Sequence, residues 1–360
     1  MKATPLFPAA LLALVLWACP PYYGYEYPDG TFPATPVNME NVNSEYDDIN
    51  MTAPTLWANN LIVFASNRET QGGTFDLVCH PTSFIWDKTS GNLSVNDPEF
   101  DEFAYLDDFL AATRTPGNEY GPFTFYLNER IDGKYVDHQY FFYSSDTSGS
   151  QDVYFLKYTF DSTGTFTGQF QPSKLETPRP LNFLCNESYD EMYLTLKMSP
   201  ISYDFHRKPG DDVCEQLVFC DNSEGNFNIY TIDIPDSVDL DVFLTTKELK
   251  IKVKPEKLNS EYNERCPYVC GDFMVFSSDR AEGMGGYDFY WSVYENGEWG
   301  EPRNFGAPVN SFSNEYRAIV DYALEFENQL MIFSSDRPGG KGGYDLYYVG
   351  FDKMPEIKYK

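Results

Sequence analysis

Positive charge is scarce in this chain. Its 360 residues carry 26 Lys and Arg against 55 Asp and Glu, a formal net charge of −29. Nucleic acid requires a basic footprint for its phosphates, so it is excluded as a partner, as is simple adsorption to anionic lipid. The balance favours solubility and biases partners toward basic groups or cations. Histidine is also rare: His80, His138 and His206 lie far apart, and no Cys-x-x-Cys unit occurs. The usual donor sets of a zinc site are therefore missing. The N-terminal apolar run, Ala9 to Trp17, is too short to span a bilayer as a helix.

The chain does have repeats. Leu330-Met331-Ile332-Phe333 runs into SSDRPGGKGGYD and then into Leu346-Tyr347-Tyr348-Val349. Met274-Val275-Phe276 begins a second copy, Val63-Phe64 begins a clear third, and degraded copies begin at Phe142-Tyr143 and Val218-Phe219. The aromatic anchors Phe64, Tyr143, Phe219, Phe276 and Phe333 are spaced by 79, 76, 57 and 57 residues. Each copy reads as two strands around a turn. Their continuous apolar runs predict burial on both faces, and the glycines supply turn geometry. A unit of this size cannot bury both faces alone, so neighbours must stack. The aromatic content of 17% is read as packing between neighbouring units, with sugar-stacking platforms as the other reading.

Upstream of each anchor a Glu recurs with Tyr: Glu45, Glu119, Glu187, Glu261 and Glu315. Adding a strand after this Glu and an outer strand gives four antiparallel strands per unit, the blade of a β-propeller. The two wide gaps are too small for a further blade and are read as insertions. One is a short helix between Asp97 and Arg114; the other is a polar loop over Pro200 to Asp212. The last unit runs out after its third strand, and the segment from Thr31 to Val37 is expected to supply its outer strand and close the ring. The predicted class is all-β, a propeller of five four-stranded blades with a short helical insertion.

The N-terminus reads as a secretory signal over residues 1–18. Leu16-Trp17-Ala18-Cys19 resembles a bacterial lipobox, which implies cleavage before Cys19 and a lipid on it; Trp17 departs from that pattern. Residues 19–42, rich in Pro and Tyr, are read as a tether, and residues 43–360 as the propeller. The six other cysteines allow up to three disulfides in an exported chain.

The pattern LxFSSDRxGGxGGYDLYY after NSxxNEY resembles the TolB-like, WD-repeat-like propeller repeat of Gram-negative envelope proteins. The likeness covers most of residues 43–351. It implies a lipoprotein of the cell envelope, held at the outer membrane through Cys19 with its face undecided, whose partners are other envelope proteins. For the repeated polar residues the expectation is architectural. Asp146, Asp279 and Asp336 would accept backbone N–H groups of the glycine turn, with calcium binding as the sharper reading and no other cofactor. Arg68, Arg280 and Arg337 would pair with the five glutamates between blades; alternatively those glutamates ring the channel mouth.

The functional expectation is a non-enzymatic interaction scaffold in an outer-membrane or secretion-apparatus assembly. The alternatives are a glycan-binding surface lipoprotein and a five-bladed glycoside hydrolase with carboxylates in the central pocket. No non-repeated acidic motif stands out for the latter, and the segment SSDTSGS does not match the sialidase Asp-box.

Overall fold

The computed structural model describes residues 29–53, 59–97, 104–131, 134–160, 172–184, 188–198, 213–321 and 326–354. The signal, Cys19, Glu187 and the Pro200–Asp212 insertion lie outside them. Five antiparallel sheets form a propeller, and the described residues are all-β apart from two helices. Blade I comprises Asp48–Thr52, Asn59–Ser66, Asp76–Asp87 and Asn92–Asn96. Blade II comprises Glu119–Ile131, Lys134–Ser145 and Asp152–Phe160, with Arg179–Pro180 and Pro172–Leu175 on its outer edge. Blade III has Glu191–Met198, Cys214–Asp221 and Asn228–Asp233; a single bridge from Thr231 to Val253 stands at its outer position. Blade IV has Glu264–Cys270, Phe273–Ser278 and Asp288–Glu295, edged by Glu298–Trp299 and Arg303–Asn304.

Blade V joins the two ends of the chain. Glu315–Asp321, Gln329–Ser335 and Asp345–Phe351 take Val37–Asn38 as their outer strand, with Val37 opposite Tyr348. The expected ring closure is therefore present. It also moves a boundary: Phe32, Met39 and Val42, assigned above to a tether, are buried in the core between blades V and I.

The continuous apolar second strands arise because their faces serve different neighbours. In blade I, Leu61, Val63 and Ala65 pack toward blade II, whereas Ile62 and Phe64 pack toward blade V. All five anchors lean toward the preceding blade: Phe64 toward V, Tyr143 toward I, Phe219 toward II, Phe276 toward III and Phe333 toward IV. Each fully buried aromatic of this kind contributes about 2–3 kcal/mol. The high aromatic content is thus largely interblade packing.

The predicted helical insertion is helix α1, Ala104–Thr113, whose Leu106, Phe109 and Leu110 pack between blades I and II. Helix α2, Leu240–Thr245, has only six residues and was not foreseen; Asp239 caps it by accepting from Val242 N. The doubled glycines of blades IV and V permit close approach as well as turning. A Cβ on Gly285 would stand 2.2 Å from the Ser313 carbonyl oxygen, and one on Gly342 would stand 1.9 Å from that of Tyr46. Each loop therefore presses on the backbone leading into the next blade.

Candidate functional site

Inner strands begin, and second strands end, at the same end of the propeller. At that end each inner strand starts with a buried acid: Asp48, Glu119, Glu191, Glu264 or Glu315. In blade V, Glu315 accepts from Ser311 N and Oγ, Ser335 Oγ and Arg337 Nη2 at 2.9 Å. Blades I and IV repeat this arrangement through Asp48 with Ser44, Ser66 and Arg68, and through Glu264 with Ser260, Ser278 and Arg280. In blade III the cation lies one strand over, with Lys252 Nζ 2.6 Å from Asp221, the residue that stands opposite Glu191. Blade II supplies none. Glu119 is held by Thr115 and by the Ser145 hydroxyl, and its Oε2 is buried without a hydrogen-bond partner among the described residues. Burial pushes the Glu119 carboxyl up to about 7.

A second polar clasp occurs in all five blades. The residue before each acid makes two hydrogen bonds with the residue following its second strand. The pairs are Asn118 with Asp146, Asn263 with Asp279, and Asn314 with Asp336, at 2.7–2.9 Å. In blades I and III the residue types are exchanged, giving Asp47 with Asn67 and Asp190 with Asn222. The same upstream side chains also accept a backbone N–H from the preceding blade: Phe75, Gln151, Phe227, Tyr287 and Tyr344 donate at 2.9–3.0 Å.

Two positions beyond each acid the inner strand takes a positive φ, at Asn50, Gly121, Tyr193, Cys266 and Arg317. These residues fill the axis. Arg317 is completely buried and donates to the carbonyls of Tyr193, Pro267 and Pro122, thereby bridging to blades III, IV and II. Burial lowers its pKa. Tyr193 is held by Asn50 Nδ2 at 3.3 Å and covers Gly121.

One position beyond each acid, Ile49, Tyr120, Met192, Arg265 and Tyr316 lie above this plug. Tyr120 rests on Phe75, with ring centroids 5.0 Å apart, and Tyr316 lies between Tyr287 at 4.8 Å and Tyr344 at 5.9 Å. The Arg265 guanidinium lies over Phe227, 3.7 Å from its centroid. Tyr120, Arg265, Tyr287, Tyr316 and Tyr344 are all half-buried. Burial, with the nearby charges of Asp146, Asp47 and Glu119, pushes Tyr120 up to about 12. This end of the axis thus presents aromatic rings and one guanidinium, surrounded by the carboxylates of the clasps.

Several sequence expectations are corrected. Of the five recurrent glutamates only Glu119 and Glu315 are the buried strand-initial acids; Glu45 and Glu261 are exposed. The acids that belong in the set are Asp48, Glu191 and Glu264. The expected interblade pairs of Arg68, Arg280 and Arg337 are within single blades. Asp146, Asp279 and Asp336 hold asparagines, not the glycine turn. The turn is capped by Asp288, which accepts from Met284 N, and by Asp345, which accepts from Gly342 N at 3.0 Å. Of the six cysteines expected to allow disulfides, Cys79, Cys220 and Cys266 are thiols.

No protein-family model and no curated protein sequence matches the chain. Solved propellers are similar to it in fold. An exo-β-1,3-galactanase from Clostridium thermocellum shares 8% identity over 91% of this chain at a TM-score of 0.43, and the chain spans 64% of that protein's length. An α-L-arabinofuranosidase from Lactobacillus brevis shares 10% identity, covering 89% of this chain and 96% of its own, at a TM-score of 0.41. A glycosyl hydrolase from Bacteroides ovatus shares 8%, covering 90% and 94%, also at 0.41. The expectation that the chain is not an enzyme is corrected by these findings: the propellers it is similar to are described as glycosidases, and the exclusion of catalysis is withdrawn.

Proposed function

We propose that this chain is a saccharide-directed propeller that binds its ligand at the axial end where the inner strands begin, and that glycosidic-bond hydrolysis is its activity. The convergence of Tyr120, Tyr287, Tyr316 and Tyr344, all half-buried, beside one guanidinium carries this reading. The apolar faces of sugar rings pack against aromatic rings, and sugar hydroxyls bond the surrounding carboxylates.

Hydrolysis needs a proton donor and a second carboxylate about 5–10 Å away. A donor must hold its proton near neutral pH. Asp48, Glu264 and Glu315 each pair with an arginine. Glu119 has none and remains protonated toward neutrality. It is the residue assigned as acid, directly before Tyr120. Attachment to a membrane through Cys19 is compatible with this role and is part of the proposal.

Affinity electrophoresis against soluble polysaccharides, with release of reducing ends measured in parallel, tests it. Retardation by at least one polysaccharide, lost in Tyr316→Ala and in Tyr344→Ala, is expected, as is hydrolysis that disappears in Glu119→Gln. Retardation unchanged in both tyrosine variants would overturn the site. Hydrolysis unchanged in Glu119→Gln would overturn the assignment of the acid.

A further inference from the structure

Arg265 differs from the other arginines at this end of the propeller. Arg68, Arg280 and Arg337 each hold a carboxylate of their own blade and a backbone carbonyl, those of Val42, Leu258 and Val309 respectively. Arg265 has no carboxylate partner among the described residues, and its Nε is buried without a hydrogen-bond acceptor. Its surroundings are Phe227 beneath the guanidinium and Tyr193, Tyr287, Tyr316 and Cys220 around it. A guanidinium stacked on an aromatic face is pre-organised in its plane, and its planar fork of donors matches a carboxylate bidentately. Although the chain carries 55 acidic side chains, this guanidinium meets aromatic rings and the Tyr316 hydroxyl.

We infer that Arg265 is the specificity-determining residue for a carboxylate-bearing sugar, a uronate unit whose carboxylate seats on this guanidinium while its ring packs against Tyr316 and Tyr287. The inference rests on the saccharide site proposed above and names its ligand class. The net charge of −29 disfavours non-specific adsorption of a polyanion, so binding of an acidic polysaccharide must come through a specific cation.

The test compares polygalacturonate, its fully methyl-esterified form and a neutral β-glucan by titration calorimetry, using the full chain and its Arg265→Gln and Arg265→Lys variants with thermal melts as a check on folding. Polygalacturonate should bind at least tenfold more tightly than its ester. Arg265→Gln should bring the acid and ester forms to equal affinity, and Arg265→Lys should retain part of the preference. Equal affinity for the acid and ester forms, or a preference that survives in Arg265→Gln, overturns the uronate assignment and leaves the saccharide site standing. No binding of any of the three polymers, neutral or acidic, overturns both.

Discussion

Blades V and II share a geometry and differ in one charge. In both, the strand-initial glutamate is completely buried and accepts from a hydroxyl-bearing residue four positions upstream and from the last serine of the second strand. Blade V adds Arg337; blade II has Thr147 in the corresponding place, bonded to the Thr115 and Ser145 hydroxyls. The slot therefore survives loss of its cation, but the carboxyl pays by holding its proton. Where blades agree, side chains are consumed in holding one another. Positions at which they diverge, such as the residue after the acid, are free to meet a ligand.

The contrast between these blades can be broken at several points. Blade II carries its own outer edge, whereas blade V borrows Val37–Asn38. Removing residues 1–42 strips that strand with Phe32, Met39 and Val42, and should lower the thermal midpoint by on the order of 10 °C or more. The same deletion should broaden the calorimetric transition. Arg337→Met leaves Glu315 buried and unpaired, and denaturant titration should show a loss of about 3 kcal/mol. Adding Glu315→Gln should restore most of it.

Lys252→Met in blade III should cost less, about 1 kcal/mol, because the lysine is partly solvated. Glu119→Gln in blade II should be the mildest and should change with pH. The folded carboxyl titrates near 7 against 4.5 for the unfolded chain, so its stabilising contribution is complete below about 4.5 and is lost as pH rises through 7. The variant should match the parent near pH 4 and exceed it by roughly 1 kcal/mol at pH 8, a figure reduced for solvent screening. Arg337→Met should show no such gain at high pH.

The repeat, the number of blades, helix α1 and the ring closure were all legible, because each rests on a periodic apolar pattern or on a strand that lacked a partner. The identity of the acids was not. Glu-Tyr draws the eye to Glu45 and Glu261, yet the register is set by Asn-Ser: Ser44, Ser260 and Ser311 each stand four residues before their acid. Alignment on that serine would have selected Asp48, Glu264 and Glu315. The clasps were hidden for a different reason, since Asp and Asn exchange places between blades. Lys252 lies 31 residues from Asp221 and offered no local signal. Arg265 and Arg317 each occur at their position in one blade alone, so a search for recurrence passes over them.

Hydrogen–deuterium exchange with and without a saturating polysaccharide ligand tests the location of the site most directly. Protection is predicted at the backbone amides of Tyr120, Arg265, Tyr287, Tyr316 and Tyr344, with none at the opposite end, where Gly271–Asp272 and Glu327–Asn328 turn between first and second strands. Protection confined to those two turns would contradict the account.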